Sequence, residues 1–423
     1  MKKLPIKTVV ESLLKLQQTG DSATLLGIGP MSKNCVQAAL ELSKEYDYPV
    51  MFIASRNQVD LDELGGGYVN GWNQFSFAKA VKDVADEIQY DNLYYLCRDH
   101  GGPWQRDKER NDHLPVDQAI ALGQQSYIGD IEAGFDLLMI DPTKDPFEVG
   151  KVIPLDTVLE RTVELIDFCE KARKQRGIGE IGYEVGTEET NGGLTSTETY
   201  EEFILRLQKE LTARQLPMPT FIVGQTGTLV RKTEQVGSFN FDNAYNLAKM
   251  AKKYNVGLKE HNGDYLDDKS LLEHIPSQIT ATNVAPQYGS VETRAYLNLA
   301  EVEQKLVQQG LIKQPSNTRQ VLLEEAVRCE RWRKWMIGDQ TKLTLAEIAD
   351  NPDIAEEILD IAGHYNYNND RVKGEIEQLY QNLAEHHIDG KRYVIDFLKR
   401  PMRDYVECYN LTGVTSRIKA LLS

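Results

Sequence analysis

The sequence predicts an α/β protein, a (β/α)8 TIM barrel with a C-terminal helical extension, on three observations. Eight short apolar runs alternate with amphipathic helical segments between residues 23 and 284, and such alternation implies parallel strands joined by helical crossovers. No Gly-x-Gly-x-x-Gly follows the first run, where only Gly27 and Gly29 occur. A dinucleotide fold is therefore disfavoured, and eight repeats favour closure into a barrel. Beyond Arg294 strand candidates become few and helical periodicity takes over.

The elements follow in order. Residues 6–18 read as a helix. The first strand, 23–30, is apolar and closes on Gly and Pro, and Ser32 supplies a cap for a helix over 35–44. The second strand, 49–54, leads to Ser55-Arg56-Asn57-Gln58, a glycine-rich loop over 65–72 and a helix over 75–88. The third starts at Leu93 and ends in Asp99-His100, where Gly101-Gly102-Pro103 breaks it. After a charged loop over 106–113 come a helix over 116–133, a strand over 135–140 ending at Asp141, and a helix over 155–174. The remaining strands are expected at 180–185, 220–224, 256–259 and 278–284, with helices at 198–214 and 243–254. Further helices are expected at 299–309, 317–336, 345–364, 370–387 and 394–405. We divide the chain into a barrel, 1–298, and an extension, 299–423, packed on the barrel or on a second subunit.

Composition narrows the function. The 423 residues are 41% hydrophobic and 26% charged, as in an ordinary soluble globule. A formal net charge of −16 argues against nucleic acid or an anionic membrane as the main partner. No stretch approaches the roughly 20 apolar residues of a membrane helix. Five scattered cysteines without C-x-x-C spacing predict reduced thiols and a cytoplasmic protein.

Chemistry in a barrel sits at the C-terminal ends of its strands. Those ends carry Arg56 with Asn57, Asp99 with His100, Asp141, Glu184 with Glu188, Gln225, His261 with Asn262 and Asp264, and Asn283 with Gln287. Of seven histidines only His100 and His261 fall on strand ends. Two imidazoles with a carboxylate or amide oxygen suit Zn²⁺ or a similar divalent ion such as Mn²⁺. Such an ion polarises a sugar carbonyl, and Asp99 beside it suits proton exchange with a hydroxyl. Arg56, Arg98, Arg106 and Lys259 are candidates for an anionic substrate group.

The segment order resembles the GatZ/KbaZ-like family, described as the second subunit of class II tagatose-bisphosphate aldolase. The resemblance runs through Ala54-Ser55-Arg56-Asn57-Gln58-Val59, Asp99-His100-Gly101-Gly102-Pro103, Val185-Gly186-Thr187-Glu188 and Lys259-Glu260-His261. It continues in Asp264-Tyr265, His364-Tyr365-Asn366-Tyr367 and Asp370-Arg371-Val372-Lys373. It implies the TIM barrel of the class II aldolases, Asp99 as acid/base, and His100 and His261 as metal ligands. Two departures stand out. Where catalytic aldolases carry a further histidine after strand six, this chain has Val223-Gly224-Gln225-Thr226-Gly227-Thr228, so that ligand is either missing or replaced by Gln225, Glu188 or Asp141. Asp264 stands where the aldolases receive a substrate phosphate, and a carboxylate there repels one.

The expected site therefore has Asp99, Glu188 and Asp141 as catalytic acids and His100, His261 and Gln225 as ligands. Arg56, Asn57, Glu184, Asn262, Asp264 and Asn283 are expected to bind substrate. The resemblance implies C4-epimerisation or aldol cleavage of a ketose or ketose phosphate by a self-contained homo-oligomer. Its alternative is a non-catalytic partner of a catalytic aldolase subunit. A sugar kinase finds little support, since no Gly-x-x-x-x-Gly-Lys-Ser/Thr loop occurs.

Overall fold

The computed structural model describes residues 3–148, 153–187 and 193–423. Eight parallel strands close into a barrel: β1 (Leu25–Ile28), β2 (Val50–Ser55), β3 (Tyr94–Gly101), β4 (Leu137–Ile140), β5 (Gly182–Gly186), β6 (Phe221–Val223), β7 (Gly257–Glu260) and β8 (Ala281–Val284). Their spatial order is β1-β8-β7-β6-β5-β4-β3-β2. Nearly every strand residue is buried. The inner ones fill the barrel and the outer ones meet the helices, which explains why these runs are continuously apolar rather than alternating.

Local chemistry sets the helix starts. The Ser32 side chain accepts from the Cys35 N–H, as expected, and Asn73 and Ser76 form a reciprocal capping box. Helix Ile6–Gln18 lies against the N-terminal end of the barrel. Ile6 meets Gly182 at the start of β5, and the Leu4 carbonyl accepts from the Tyr95 hydroxyl at 2.8 Å.

The extension departs most from expectation. Pro286 opens a helix immediately after β8, and Pro286–Gln308 runs unbroken through residue 298. The helix expected over 317–336 stops at Arg328, because Glu330 turns into the left-handed region (φ 54°), and a 3-10 turn follows at Arg331–Trp335. The segment 345–364 divides at Asn351-Pro352, where Asn351 caps a new helix. A small hairpin pairs Val230–Arg231 with Glu234–Gln235, and Val414–Leu422 forms a further helix; neither was anticipated.

These segments pack on the barrel. Arg392 of helix Gly390–Cys408 pairs with Glu41 at 2.8 Å, and Tyr405 donates to the Gly263 carbonyl at 2.8 Å. The turns at 331–335 and 363–366 reach the barrel mouth. No helix among the described residues is long and apolar enough to cross a membrane.

Candidate metal and active site

β3 and β7 place the two strand-end histidines face to face. His100 Nε2 and His261 Nδ1 stand 3.2 Å apart, with ring planes at 89°. Each ring is held from behind by a buried carboxylate. His100 Nδ1 lies 2.6 Å from Asp141 Oδ2, and His261 Nε2 lies 2.7 Å from Glu184 Oε1. An ionised carboxylate only accepts, so these bonds put the protons on His100 Nδ1 and His261 Nε2. The nitrogens that face each other are then the two with lone pairs. That arrangement is repulsive unless a proton or a cation lies between them.

The spacing fits a metal. Two nitrogens bound to one tetrahedral ion at 2.0–2.1 Å stand ~3.3 Å apart. Carboxylate, imidazole and ion in series is also the usual way a protein orients a histidine ligand. Asp99 joins the pair: its ligand atom and those of His100 and His261 all lie within 4.8 Å of one another.

The backbone supports this placement at a cost. His100 sits at φ 48°, a conformation that L-residues avoid unless their surroundings enforce it. The enforcement begins one residue later. A Cβ on Gly101 would stand 2.6 Å from Tyr127 Cε1 and 2.7 Å from the Met139 carbonyl, so only glycine lets the end of β3 lie this close to β4. On β8, Asn283 lies opposite Gly27 of β1, and a Cβ on Gly27 would fall 2.3 Å from Asn283 Oδ1. With that space left open, Asn283 Nδ2 donates to Asp99 Oδ1 at 3.0 Å.

Charge is distributed in register with this geometry. Burial opposes protonation of His100, but Asp99 and Asp141 outweigh it and hold its pKa above the ordinary imidazole value. Asp141, although buried, is held well below the usual carboxylate range by His100 and Thr143. Glu184 is lowered against its burial by Lys259, at 2.5 Å, and by His261.

The mouth encloses about 350 Å³. Asp99, His100, His261, Asn57, Asn262, Asp264 and Asn283, all expected at the site, line it. The others are placed elsewhere. Arg56 is fully buried behind the wall, paired with Asp60 at 3.0 Å and Glu109 at 2.7 Å. Arg98 forks onto Asp130, Arg106 meets Asp60 at 3.2 Å, and Lys259 is taken by Glu184, so none of these four cations lines the cavity. Glu184 and Asp141 stand behind the histidines rather than in the wall. Gln225, expected as a ligand, also lies outside it; its main-chain N–H donates to the Thr195 hydroxyl at 2.8 Å and its main-chain carbonyl accepts from the Thr195 N–H at 3.1 Å. Glu188 falls outside the described residues.

Asp264 lines the cavity but turns its carboxylate onto backbone. Its Oδ1 accepts from the N–H groups of Ala285 at 2.9 Å and Gln287 at 2.8 Å. Burial pushes its pKa up to about 7 although both amides favour the charged form.

Several wall residues were not anticipated as part of the site. Arg110 and Asp107 come from the charged loop after β3, Lys144 from the loop after β4, and Lys334, Trp335, His364 and Tyr365 from the extension. A signal existed for the last group. Arg331-Trp332-Arg333-Lys334-Trp335 is basic and aromatic, and His364-Tyr365 lies in a stretch already carrying the family resemblance.

Residues 10–411 match the family of D-tagatose-1,6-bisphosphate aldolase subunits described as GatZ/KbaZ-like. The chain belongs to that family. No curated protein matches it. Among solved structures, a probable tagatose 6-phosphate kinase from Sinorhizobium meliloti 1021 superposes with a TM-score of 0.70 at 19% identity, covering 91% of this chain and 100% of that one. Fructose-bisphosphate aldolase from Campylobacter jejuni reaches a TM-score of 0.54 at 12% identity, covering 97% and 99%. At such identities these two likenesses speak for the barrel alone. Membership places this GatZ/KbaZ-like chain among aldolase-type proteins of carbohydrate metabolism.

Proposed function

We propose that this GatZ/KbaZ-like protein is a divalent-metal-dependent enzyme acting on a ketose or ketose phosphate, by C4-epimerisation or aldol cleavage. The observation that carries the reading is the pair of imidazole nitrogens 3.2 Å apart, each ring oriented by a buried carboxylate. Such a pair needs a proton or a cation between its nitrogens, and the spacing suits a shared ion. His100 and His261 would hold the ion with Asp99 beside it as the acid/base, and nitrogen donors favour Zn²⁺ over Mg²⁺ or Ca²⁺. Bound there, the ion supplies Lewis-acid polarisation of the ketose carbonyl.

The chain's own residues supply the rest. Asp99 takes the proton of the C4 hydroxyl as the C3–C4 bond breaks, leaving an aldehyde at C4 and an enediolate on the other fragment. Asn283, bonded to Asp99 Oδ1, fixes the carboxylate for that transfer. Return of the proton to the C4 oxygen as the bond re-forms on the opposite aldehyde face inverts C4, whereas departure of the aldehyde and delivery of that proton to C3 of the enediolate completes cleavage. The cavity volume suits a six-carbon sugar.

The test is turnover of C4-epimeric ketoses and their phosphates by metal-loaded protein. Asp99→Asn is expected to keep its metal and lose roughly 10²–10⁴-fold in rate. Normal turnover in that variant removes Asp99 from the mechanism. A second reading has a specific basis, because the family is described as an aldolase subunit. On it, the barrel supports a catalytic partner. Co-purification with an aldolase whose stability depends on this chain, with no turnover by the chain alone, favours it.

A further inference from the structure

We propose that His364, carried into the cavity by the C-terminal extension, is a substrate-binding residue whose Nε2–H donates to a sugar hydroxyl away from the reacting bond. This rests on the ketose reading above and adds to it a specificity contact that the barrel itself does not supply.

The turn that carries this histidine is locked to the barrel. Gly363–Asn366 forms a 3-10 turn against the first turns of helix Pro286–Gln308. A Cβ on Gly289 would stand 2.6 Å from His364 Cγ and 2.8 Å from its Nδ1, and one on Gly363 would stand 2.8 Å from Thr293 Oγ1. Glycine at both positions therefore lets the imidazole lie directly on the helix. The Tyr367 hydroxyl is 2.7 Å from that of Thr293 and donates to the Gly289 carbonyl at 3.2 Å, which fixes the far side of the turn. Tyr365 and Tyr68 flank the ring, with centroids 4.1 and 6.1 Å away.

So placed, the imidazole is polar and buried, and its Nδ1 meets no hydrogen-bond partner among the described residues. His364 is 2% exposed, yet it lines the cavity. Burial, with Lys334 and Arg331 nearby, lowers its pKa to about 3, so the ring is neutral and carries one N–H. A buried N–H without an acceptor is rarer than a bare lone pair. Nδ1, held against Gly289, therefore keeps the lone pair, and the proton sits on Nε2, the nitrogen left to the cavity.

The result differs from the other two histidines of the cavity. Asp141 and Glu184 turn His100 and His261 into lone-pair donors toward each other, whereas His364 offers an uncharged N–H. Such a donor suits an uncharged oxygen. The reacting bond engages C2, C3 and C4 of a ketose, so the hydroxyls at C1, C5 and C6 are the ones open to it. A site built to bond a hydroxyl rejects the analogue that lacks it, because its own buried polar group is then left unpaired.

The experiment is calorimetric binding to the full-length protein equilibrated with Zn²⁺. The probes are a ketohexose and its 6-phosphate, each with its 1-deoxy and 5-deoxy analogues, and the 6-deoxy form of the free sugar. Wild type is compared with His364→Phe and His364→Leu, two variants that lack both nitrogens and differ in shape, with metal content and melting temperature recorded for each. The proposal expects wild type to bind a parent sugar roughly fivefold or more tightly than one of its deoxy analogues, and the variants to bind that same pair equally. A merely structural histidine would weaken parent and analogue alike and leave their ratio in place. The proposal is overturned by a wild type that binds every analogue as tightly as its parent, by one that binds no sugar, or by a ratio preserved in either folded variant. The two readings fail separately. Lack of metal and turnover sinks the enzyme while the affinity ratio still reads on His364, whereas turnover with a ratio indifferent to His364 sinks this inference alone.

Discussion

Replacing Asp141 with asparagine tests how the proposed metal pair is oriented. The change conserves volume in a site that is 1% exposed, so packing is kept. The two carboxylate oxygens have different tasks. Oδ1 accepts from the Thr143 N–H and hydroxyl, while Oδ2 accepts from His100 Nδ1. In the variant the Thr143 donors hold the amide oxygen, and the amide nitrogen then faces His100. Two donors cannot share that bond, so His100 must move its proton to Nε2, the nitrogen aimed at His261. The lone pair needed for a metal is lost. Removing a carboxylate behind a histidine ligand typically costs 10–100-fold in metal affinity, or roughly 1.4–2.7 kcal/mol. Competition against a chromogenic chelator measures this, with thermal melting of the metal-free protein as the check on folding. Unchanged metal affinity in a folded Asp141→Asn protein would refute the argument about the tautomer.

Other consequences are as specific. Glu184→Gln leaves Lys259, 1% exposed, without its counter-charge, so the fold is expected to lose about 3–5 kcal/mol; denaturant unfolding reads this, and a loss under about 1 kcal/mol, the size of a surface pair, would contradict it. The pH dependence has a definite sign. The folded pKa of His100 is raised by Asp99 and Asp141 over its burial, so its contribution to the metal-free protein is full below the unfolded value and fades as pH rises through the folded one. Asp264, raised by burial to about 7, acts in the same direction. Metal-free protein is therefore expected to melt lower at pH 8 than at pH 6, and saturating metal to reverse that order, since only unprotonated His100 can bind it. Melting curves with and without metal at both pH values decide the point, and a metal-free protein that melts higher at pH 8 refutes it.

The barrel was legible because its evidence is local and repeated. Each apolar run ends in Gly, Pro or a polar pair, and each helix has a readable start, as at Ser32. The pairing of His100 with His261 was legible for the same reason, since both histidines mark strand ends. What the sequence hid was long-range pairing. Arg56 looks like an anion receptor from its neighbours; Asp60 lies only four residues on, but its second partner, Glu109, becomes visible only when β2 and the 107–111 helix meet. Glu184 likewise reads as a mouth residue until Lys259 and His261 are seen to claim both oxygens. The extension was misjudged because a helical pattern does not report where it docks. Glu330, at φ 54°, interrupts what reads as one helix and turns Lys334 and Trp335 toward the cavity.

The central claim is that His100 and His261 share one ion, and metal content tests it most directly. Protein equilibrated with excess Zn²⁺ or Mn²⁺, then freed of loose metal, is analysed for its elements, with His100→Ala and His261→Ala beside it. About one ion per chain in the wild type, lost from both folded variants, is the predicted result. A wild type that retains no ion, or variants that retain as much as the wild type, would contradict the account.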